Sequence, residues 1–358
     1  MKVVSIVGAR PQFIKLKPVH EALVAKGHEH TVIHTGQHYD HEMSDDMFAD
    51  MGLPEPDICL GVGPNEPPQQ AARMVEALER EINGASPDCV LVYGDTTTTL
   101  AGALASSKLR LKTGHVEAGL RSYDPQMLEE VSRRVADRVC QLLFAPTANA
   151  VANLEREGLG KRARLTGDVM LDAFLAFSPK ASALEFYREL GVSKPYILVT
   201  LHRAENVDRP ETLRTILENL NSVSEELPVV FPIHPRTMKR VAEYGLEGYI
   251  TQRETMRVIS PVGYLGSLSL LLNCALVITD SGGLQKEAFF ARKPCITLRD
   301  RTEWPETLEQ GANRLVPSAC GLAEAIRFII ENPPDVPEAG AFGNGNAGML
   351  IAEAIGEA

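Results

Sequence analysis

Short apolar runs alternate with amphipathic stretches from one end of the chain to the other. Residues 3–7, 31–34, 89–93, 113–116, 142–145, 197–201, 229–233, 276–279 and 295–298 have strand length and little internal alternation. That is the pattern of strands covered on both faces. Between them, residues 69–82, 128–140, 211–227 and 283–291 repeat apolar positions at helical spacing. Strand–helix alternation of this kind predicts an α/β protein with parallel sheets.

The alternation is interrupted once. Residues 177–194 are polar and carry no strand pattern, and a new strand pattern begins just after them. At 358 residues the chain has length for two domains. The expected organisation is two Rossmann-like, doubly wound halves. Residues 1–170 and 171–340 form the halves, and 341–358 form a last helix returning to the first half.

Ligands of open parallel sheets bind beyond the carboxyl ends of the strands, so the residues just past each predicted strand are the ones to read. In the first half these are Gly8-Ala9-Arg10, Gly94-Asp95-Thr96 and Glu117-Ala118-Gly119. In the second they are His202-Arg203, His234-Pro235-Arg236 and Asp280-Ser281-Gly282-Gly283. Loops are polar in general, which accounts for Asp and Gly but poorly for the His and Arg cluster. A cleft shared by the two halves is the expected site. Ser281, Gly282 and Gly283 open a helix directly after a strand, where free N–H groups and the helix dipole attract an anion. The same three residues also fit an ordinary cap and turn. Arg10, His202, Arg203, His234 and Arg236 would add positive charge to a diphosphate-sized site. Asp95 and Glu117 are carboxylates just past two strands, suited to acid–base work. Glu129 and Glu130 open a helix, where the dipole alone also favours acids.

Composition narrows the partners. The net charge of −11 argues against a general nucleic-acid or membrane-surface role. No apolar run reaches membrane-spanning length. The six cysteines form no C-x-x-C pair and several lie in apolar runs, which fits thiols in a reducing, cytoplasmic setting. A literal G-x-G-x-x-G at Gly343, Gly345 and Gly348 follows no strand and leaves no room for an acidic ribose partner. No Walker motif exists. The cluster Gln37-His38-Tyr39-Asp40-His41 has no second ligand set at a metal-binding spacing and reads as a polar loop.

At this level of detail the chain resembles the non-hydrolysing UDP-N-acetylglucosamine 2-epimerases over nearly its whole length. The stretches that carry the resemblance are GARPQFIKLKPV, TGQHYD, YGDTTTTLAGALASSKL, GHVEAGLRSYD, LEEVSRRVAD, TGDVMLDAF, TLHRAENVD, HPRT and TDSGGLQKEAFFARKPCITLRDRTEWPE. Several details, ARPQFIK, QKEAFF and TEW among them, look closer to the branch acting on UDP-2,3-diacetamido-2,3-dideoxyglucuronic acid.

The resemblance implies a two-Rossmann fold of the glycosyltransferase-B type, a homodimer, and UDP-sugar binding without metal or nicotinamide cofactor. It maps Asp95, Glu117, Glu129 and His202 to catalysis. It maps Arg10, Lys15, Arg203, His234, Arg236, Ser281, Gly282, Gly283 and Glu287 to UDP or sugar contacts. The chain departs from the family pattern at Leu128 and Ser132, where the family has Pro and Asn. It also departs at Asn344, which replaces an acid, and at Trp304, which replaces an Arg. Trp304 is expected near the sugar, as a mark of selectivity. A hydrolysing epimerase, a glycosyltransferase of the same fold and a nucleotide-sugar sensor are the rival readings.

Overall fold

The computed structural model describes residues 1–37, 52–63, 66–251, 255–309 and 311–357. Of the polar loop discussed above, Gln37 is described, while His38, Tyr39, Asp40 and His41 lie outside the described residues.

The chain divides into two compact units, residues 1–175 with 340–358, and residues 176–339. The first holds a seven-stranded sheet. Its strands are β1 (Lys2–Val7), β2 (Glu29–His34), β3 (Ile58–Cys59), β4 (Cys89–Tyr93), β5 (Lys112–Val116), β6 (Leu142–Ala145) and β7 (Ala163–Leu165). Their order is β3-β2-β1-β4-β5-β6-β7. The second holds β8 (Ile197–Thr200), β9 (Val229–Pro232), β10 (Met256–Ile259), β11 (Leu276–Thr279), β12 (Cys295–Thr297) and β13 (Asn313–Leu315), ordered β10-β9-β8-β11-β12-β13. Every pairing is parallel. Both units are therefore doubly wound α/β folds, as the alternation of patterns predicts.

Several central strands, such as β4, β8 and β11, are largely apolar because helices cover both sides. All five residues of β4 are buried. In the second unit, Val199, Val229, Phe231, Ile278 and Ile296 meet Leu213, Ile216, Leu217 and Leu220 of the helix Pro210–Ser224 in one core. Both sheets reverse direction at one place, between β1 and β4 in the first unit and between β8 and β11 in the second. A crevice opens at such switch points, beyond the carboxyl ends of the strands. The loops there are Gly8–Arg10 and Gly94–Thr96 in one unit, and His202–Arg203 and Asp280–Gly283 in the other.

The helix Val169–Leu184 carries the chain across the unit boundary without a break. The last helix, Ala347–Glu357, packs on Arg10–Ala25. Asp172 accepts its first N–H groups, from Ala347 at 3.1 Å and Gly348 at 2.8 Å. A Cβ on Gly348 would stand 2.5 Å from the Pro18 carbonyl oxygen. That glycine permits close helix packing, so its place in G-x-G-x-x-G has a structural cause. Cys89, Cys140, Cys274 and Cys295 are buried free thiols, and Cys59 and Cys320 are exposed. No described helix is long and apolar enough to cross a membrane.

Candidate active site

In the first unit the switch-point loops bring two carboxylates to neighbouring strand ends. Glu117 follows β5 and is buried, with 7% of its surface exposed. Its φ is +72°, a left-handed conformation that costs a non-glycine residue about 1–3 kcal/mol. Two bonds hold the turn, from the Glu117 and Ala118 N–H groups to the Phe144 carbonyl at 3.1 and 3.0 Å. Lys15 comes from the first turns of Arg10–Ala25 and ion-pairs with the Glu117 carboxylate. Gly94 makes room for that pair. A Cβ there would lie 2.8 Å from Lys15 Nζ and 3.1 Å from Glu117 Oε2, and its φ of +64° also favours glycine. Asp95, next along, pairs with Arg133. Thr96 caps the helix Thr97–Lys108. Arg10 is half-buried at the start of its helix.

The helix Leu128–Val139 turns a charged face inward. Glu130, Arg133 and Asp137 are among its buried residues, whereas Leu128 and Val131 are exposed. Arg133 bridges Asp95 to Glu130, 3.1 Å away on the Glu130 side. Glu130 also accepts from the Ser122 N–H at 2.8 Å and hydroxyl at 3.0 Å. Glu130 is thus an internal strut, and Glu129, the residue expected in catalysis, is the half-exposed neighbour.

Asp137 accepts from His115 Nδ1 at 2.7 Å, Arg121 at 2.8 Å and the Gly119 N–H at 3.1 Å. Burial pushes its carboxyl up, but the His115 and Arg121 bonds and charges outweigh burial and hold it below the usual range. Arg121 continues to Glu157 through two bonds, at 2.7 and 2.8 Å.

In the second unit the strand end at the switch point runs directly into a capped helix. Ser281 caps the helix Gly282–Phe290. Gly282 packs near Glu303, whose Oε1 would lie 3.1 Å from a Cβ placed there. Gly283 is different. Among the described residues, the only atom within 4 Å of its missing Cβ is the Ser281 hydroxyl at 3.9 Å, and its φ is not positive. Neither packing nor backbone geometry requires glycine there.

The facing loop is tied down by Asp280, which is fully buried. It accepts from the His202 and Arg203 N–H groups at 3.0 and 2.9 Å and from the Asn206 amide at 3.1 Å. His202 Nδ1 lies 3.0 Å from its other oxygen. Burial raises the Asp280 carboxyl, and the His202 bond and charge with these N–H donors more than reverse that. The His202 and His234 rings stand 5.7 Å apart. His234 caps the helix Pro235–Glu243 by accepting from the Arg236 N–H at 3.2 Å. Arg236 pairs with Asp208, which Arg240 also reaches at 2.9 Å. The Arg236 bond is the main cause that keeps the Asp208 carboxyl below its usual range. Glu287 is buried and interacts with the Tyr264 hydroxyl, which burial first and Glu287 second push well upward.

A family model described as UDP-N-acetylglucosamine 2-epimerase matches residues 21–356. The chain belongs to the UDP-N-acetylglucosamine 2-epimerase family. It is 43% identical to the UDP-2,3-diacetamido-2,3-dideoxy-D-glucuronate 2-epimerase of Pseudomonas aeruginosa, with 99% of each chain covered. It is also 43% identical to a UDP-N-acetylglucosamine 2-epimerase homolog of Methanococcus maripaludis, again over 99% of both. Among solved structures, the Methanocaldococcus jannaschii UDP-GlcNAc 2-epimerase in complex with UDP-GlcNAc and UDP is 40% identical. It superposes with a TM-score of 0.93 over the full length of both chains.

Trp304 is largely enclosed. It is only 3% exposed, and the Lys286 ammonium sits 4.0 Å over its ring. The indole packs inside the second unit, as the platform for a buried lysine. His115, Arg121, Arg133 and Asp137 were not picked out by reading strand ends for ligand-facing groups. His115 lies inside a strand, and Arg133 and Asp137 lie on the inner face of a helix. A weak signal was available, since Glu130, Arg133 and Asp137 recur at i, i+3 and i+7 and so share one helix face.

Proposed function

We propose that this chain inverts C2 of a UDP-N-acetylated hexose, either UDP-N-acetylglucosamine or its 2,3-diacetamido glucuronate relative, without hydrolysing it. The C2 proton is lost together with UDP from C1, leaving a glycal. UDP then adds back to C1 as a proton is delivered to the opposite face of C2, so atoms balance with no external oxidant or reductant. The reading assigns proton handling to Asp95, Glu117 and Glu129. It keeps His202 as a catalytic group and assigns UDP to Ser281, Gly282, Gly283, Arg203, His234, Arg236 and Glu287, with Arg10 and Lys15 as further substrate cations. Donors aimed at the departing diphosphate stabilise its growing charge.

The observation that carries this reading is Gly283, a glycine with open space over its Cβ position at a capped helix N-terminus. The buried Glu117 and the part-exposed Asp95, each paired with a cation, supply acid–base groups in the first unit. A cytoplasmic homodimer is part of the proposal. Its support is the outward apolar stripe of Leu128 and Val131 on a helix whose polar face is inside. Val131→Glu should then give a monomer by light scattering.

The decisive test is incubation with each UDP-sugar in D₂O, followed by NMR. Deuterium at C2 of both epimers, with the UDP linkage intact, is expected. Release of UDP and free sugar identifies a hydrolysing enzyme. Absence of C2 exchange on both sugars overturns the proposal.

A further inference from the structure

His115 is fully buried in β5, two residues before Glu117. Its Nε2 lies 2.7 Å from the Gly94 carbonyl oxygen, and its Nδ1 lies 2.7 Å from Asp137. A carbonyl can only accept, so Nε2 carries a proton and donates it to Gly94. That oxygen belongs to the peptide linking Gly94 to Asp95. Gly94 is left-handed and its vacant Cβ side faces the Lys15–Glu117 pair. A glycine peptide in this position is free to rotate unless something holds it. The Gly94 N–H is bound to the Val116 carbonyl at 2.9 Å, and its carbonyl is bound by His115. The other end of the ring is anchored through Asp137 to the Gly119 N–H and to Arg121, on the far side of Glu117.

We infer that His115 is a positioning residue for the epimerisation, holding the Gly94–Asp95 peptide so that Asp95 and Glu117 keep their separate pairings with Arg133 and Lys15. The inference rests on the reading above that these two acids handle the proton. His115 contacts neither acid's carboxylate and is closed off from solvent, so it acts through the backbone on which both acids are mounted. Polar side chains seldom occupy the middle of a fully buried parallel strand unless both ends are bonded, and here each ring nitrogen is bonded to one of the two catalytic loops or its brace.

Two amides of different reach separate this role from mere packing. The Gln side chain places its N–H₂ near the position of His Nε2, so His115→Gln retains a donor for Gly94. His115→Asn places its amide near Nδ1 and leaves the Gly94 carbonyl unbonded. Misplacement of a reacting group by about 1 Å costs up to a hundredfold. His115→Asn should therefore lower kcat between about tenfold and a hundredfold. KM and the Kd for UDP should stay within about threefold of wild type, since UDP is assigned to the second unit. His115→Gln should recover kcat to within about threefold of wild type at a similar melting temperature. If Asn at this site does not fold, His115→Leu fills the space without a donor and takes its place.

Equal kcat in Asn, Gln and wild type overturns the inference. So does an equal loss in Gln and Asn, which indicates packing alone. Glu117→Gln run in parallel keeps the two levels apart. Retained activity in that variant removes the acid reading itself. Its loss together with full activity in His115→Asn removes only the role of His115.

Discussion

The two switch points occupy equivalent places in equivalent folds, yet they are built from opposite materials. In the first unit the strand ends carry side-chain charge, already neutralised in pairs: Lys15 with Glu117, and Arg133 with Asp95 and Glu130. The backbone is strained at Glu117 and braced by buried polar groups. In the second unit the strand end presents bare backbone, a capped helix start whose Gly283 has open space on its Cβ side. Asp280 fixes the facing loop from behind rather than facing a ligand. The first arrangement suits proton transfer, where each acid needs its own environment. The second suits anion binding, where many N–H groups share one charge.

If that division is right, substitutions should split cleanly between turnover and binding. The largest effect is expected at Glu117. Glu117→Gln removes the carboxylate but keeps its shape, and kcat should fall by about 10² or more with the Kd for UDP unchanged. Steady-state rates and calorimetric UDP titration check this. A matched loss of UDP affinity would merge the two sites.

Acid should weaken the first unit through a group that lies outside the active site. His20 and His30 meet Nδ1 to Nδ1 at 2.8 Å, and His30 continues through Ser5 to the Tyr93 hydroxyl. Burial, with His20 adding to it, lowers His30 from its usual 6.5 to about 3. The native state therefore refuses a proton that the unfolded chain accepts. This stability is complete well above pH 6.5 and falls as pH drops toward 3, by about 1.4 kcal/mol per unit. Between pH 7 and pH 5 the loss should be about 2 kcal/mol. Urea midpoints across that range measure it, and His30→Gln should flatten the dependence.

The second unit should show the converse of Glu117→Gln. Gly283→Ala adds a methyl group where the structure has open space, and a helix gains from Ala over Gly by up to about 1 kcal/mol. The melting temperature should hold or rise, while UDP binds about tenfold more weakly, a change of about 1.4 kcal/mol. Unchanged UDP affinity would remove Gly283 from the anion site. The smallest effect is expected at Trp304. Trp304→Phe keeps an aromatic face over Lys286, and selectivity between the two UDP-sugars should stay within about threefold. A larger change in the kcat/KM ratio would return the indole to the sugar.

What could be read from sequence differs between the middle and the margins of each sheet. All nine predicted strands exist, and they are the interior strands of both sheets. The four unpredicted ones, β3, β7, β10 and β13, are the four edges. Edge strands are bonded on one side only and partly exposed. Ile58–Cys59 is two residues long, Ala163–Leu165 carries Arg164, and Asn313–Leu315 carries Arg314. Such segments lack the continuous apolar run that burial on both faces imposes. The helix Leu128–Val139 gives a sharper lesson. Its period is legible, but Leu128 and Val131 lie outside while Glu130, Arg133 and Asp137 lie inside. The moment of a helix gives its two faces, and the neighbours decide which one is buried.

By itself, the sequence determined the class, the interior strands and the family. All of these follow from local periodicity, from residues adjacent in the chain, or from motifs spread along it. The partners of the charges were decided by tertiary structure. Lys15 reads as an exposed helix position until it closes on Glu117, 102 residues away. His115 becomes legible only when Gly94 and Asp137 converge on its ring, from 21 and 22 residues distant. The physical reason is that a buried charge or imidazole is tolerated only where a partner satisfies it. In a parallel sheet that partner arrives on another strand or crossover helix, so the pairing exists only once the chain has folded.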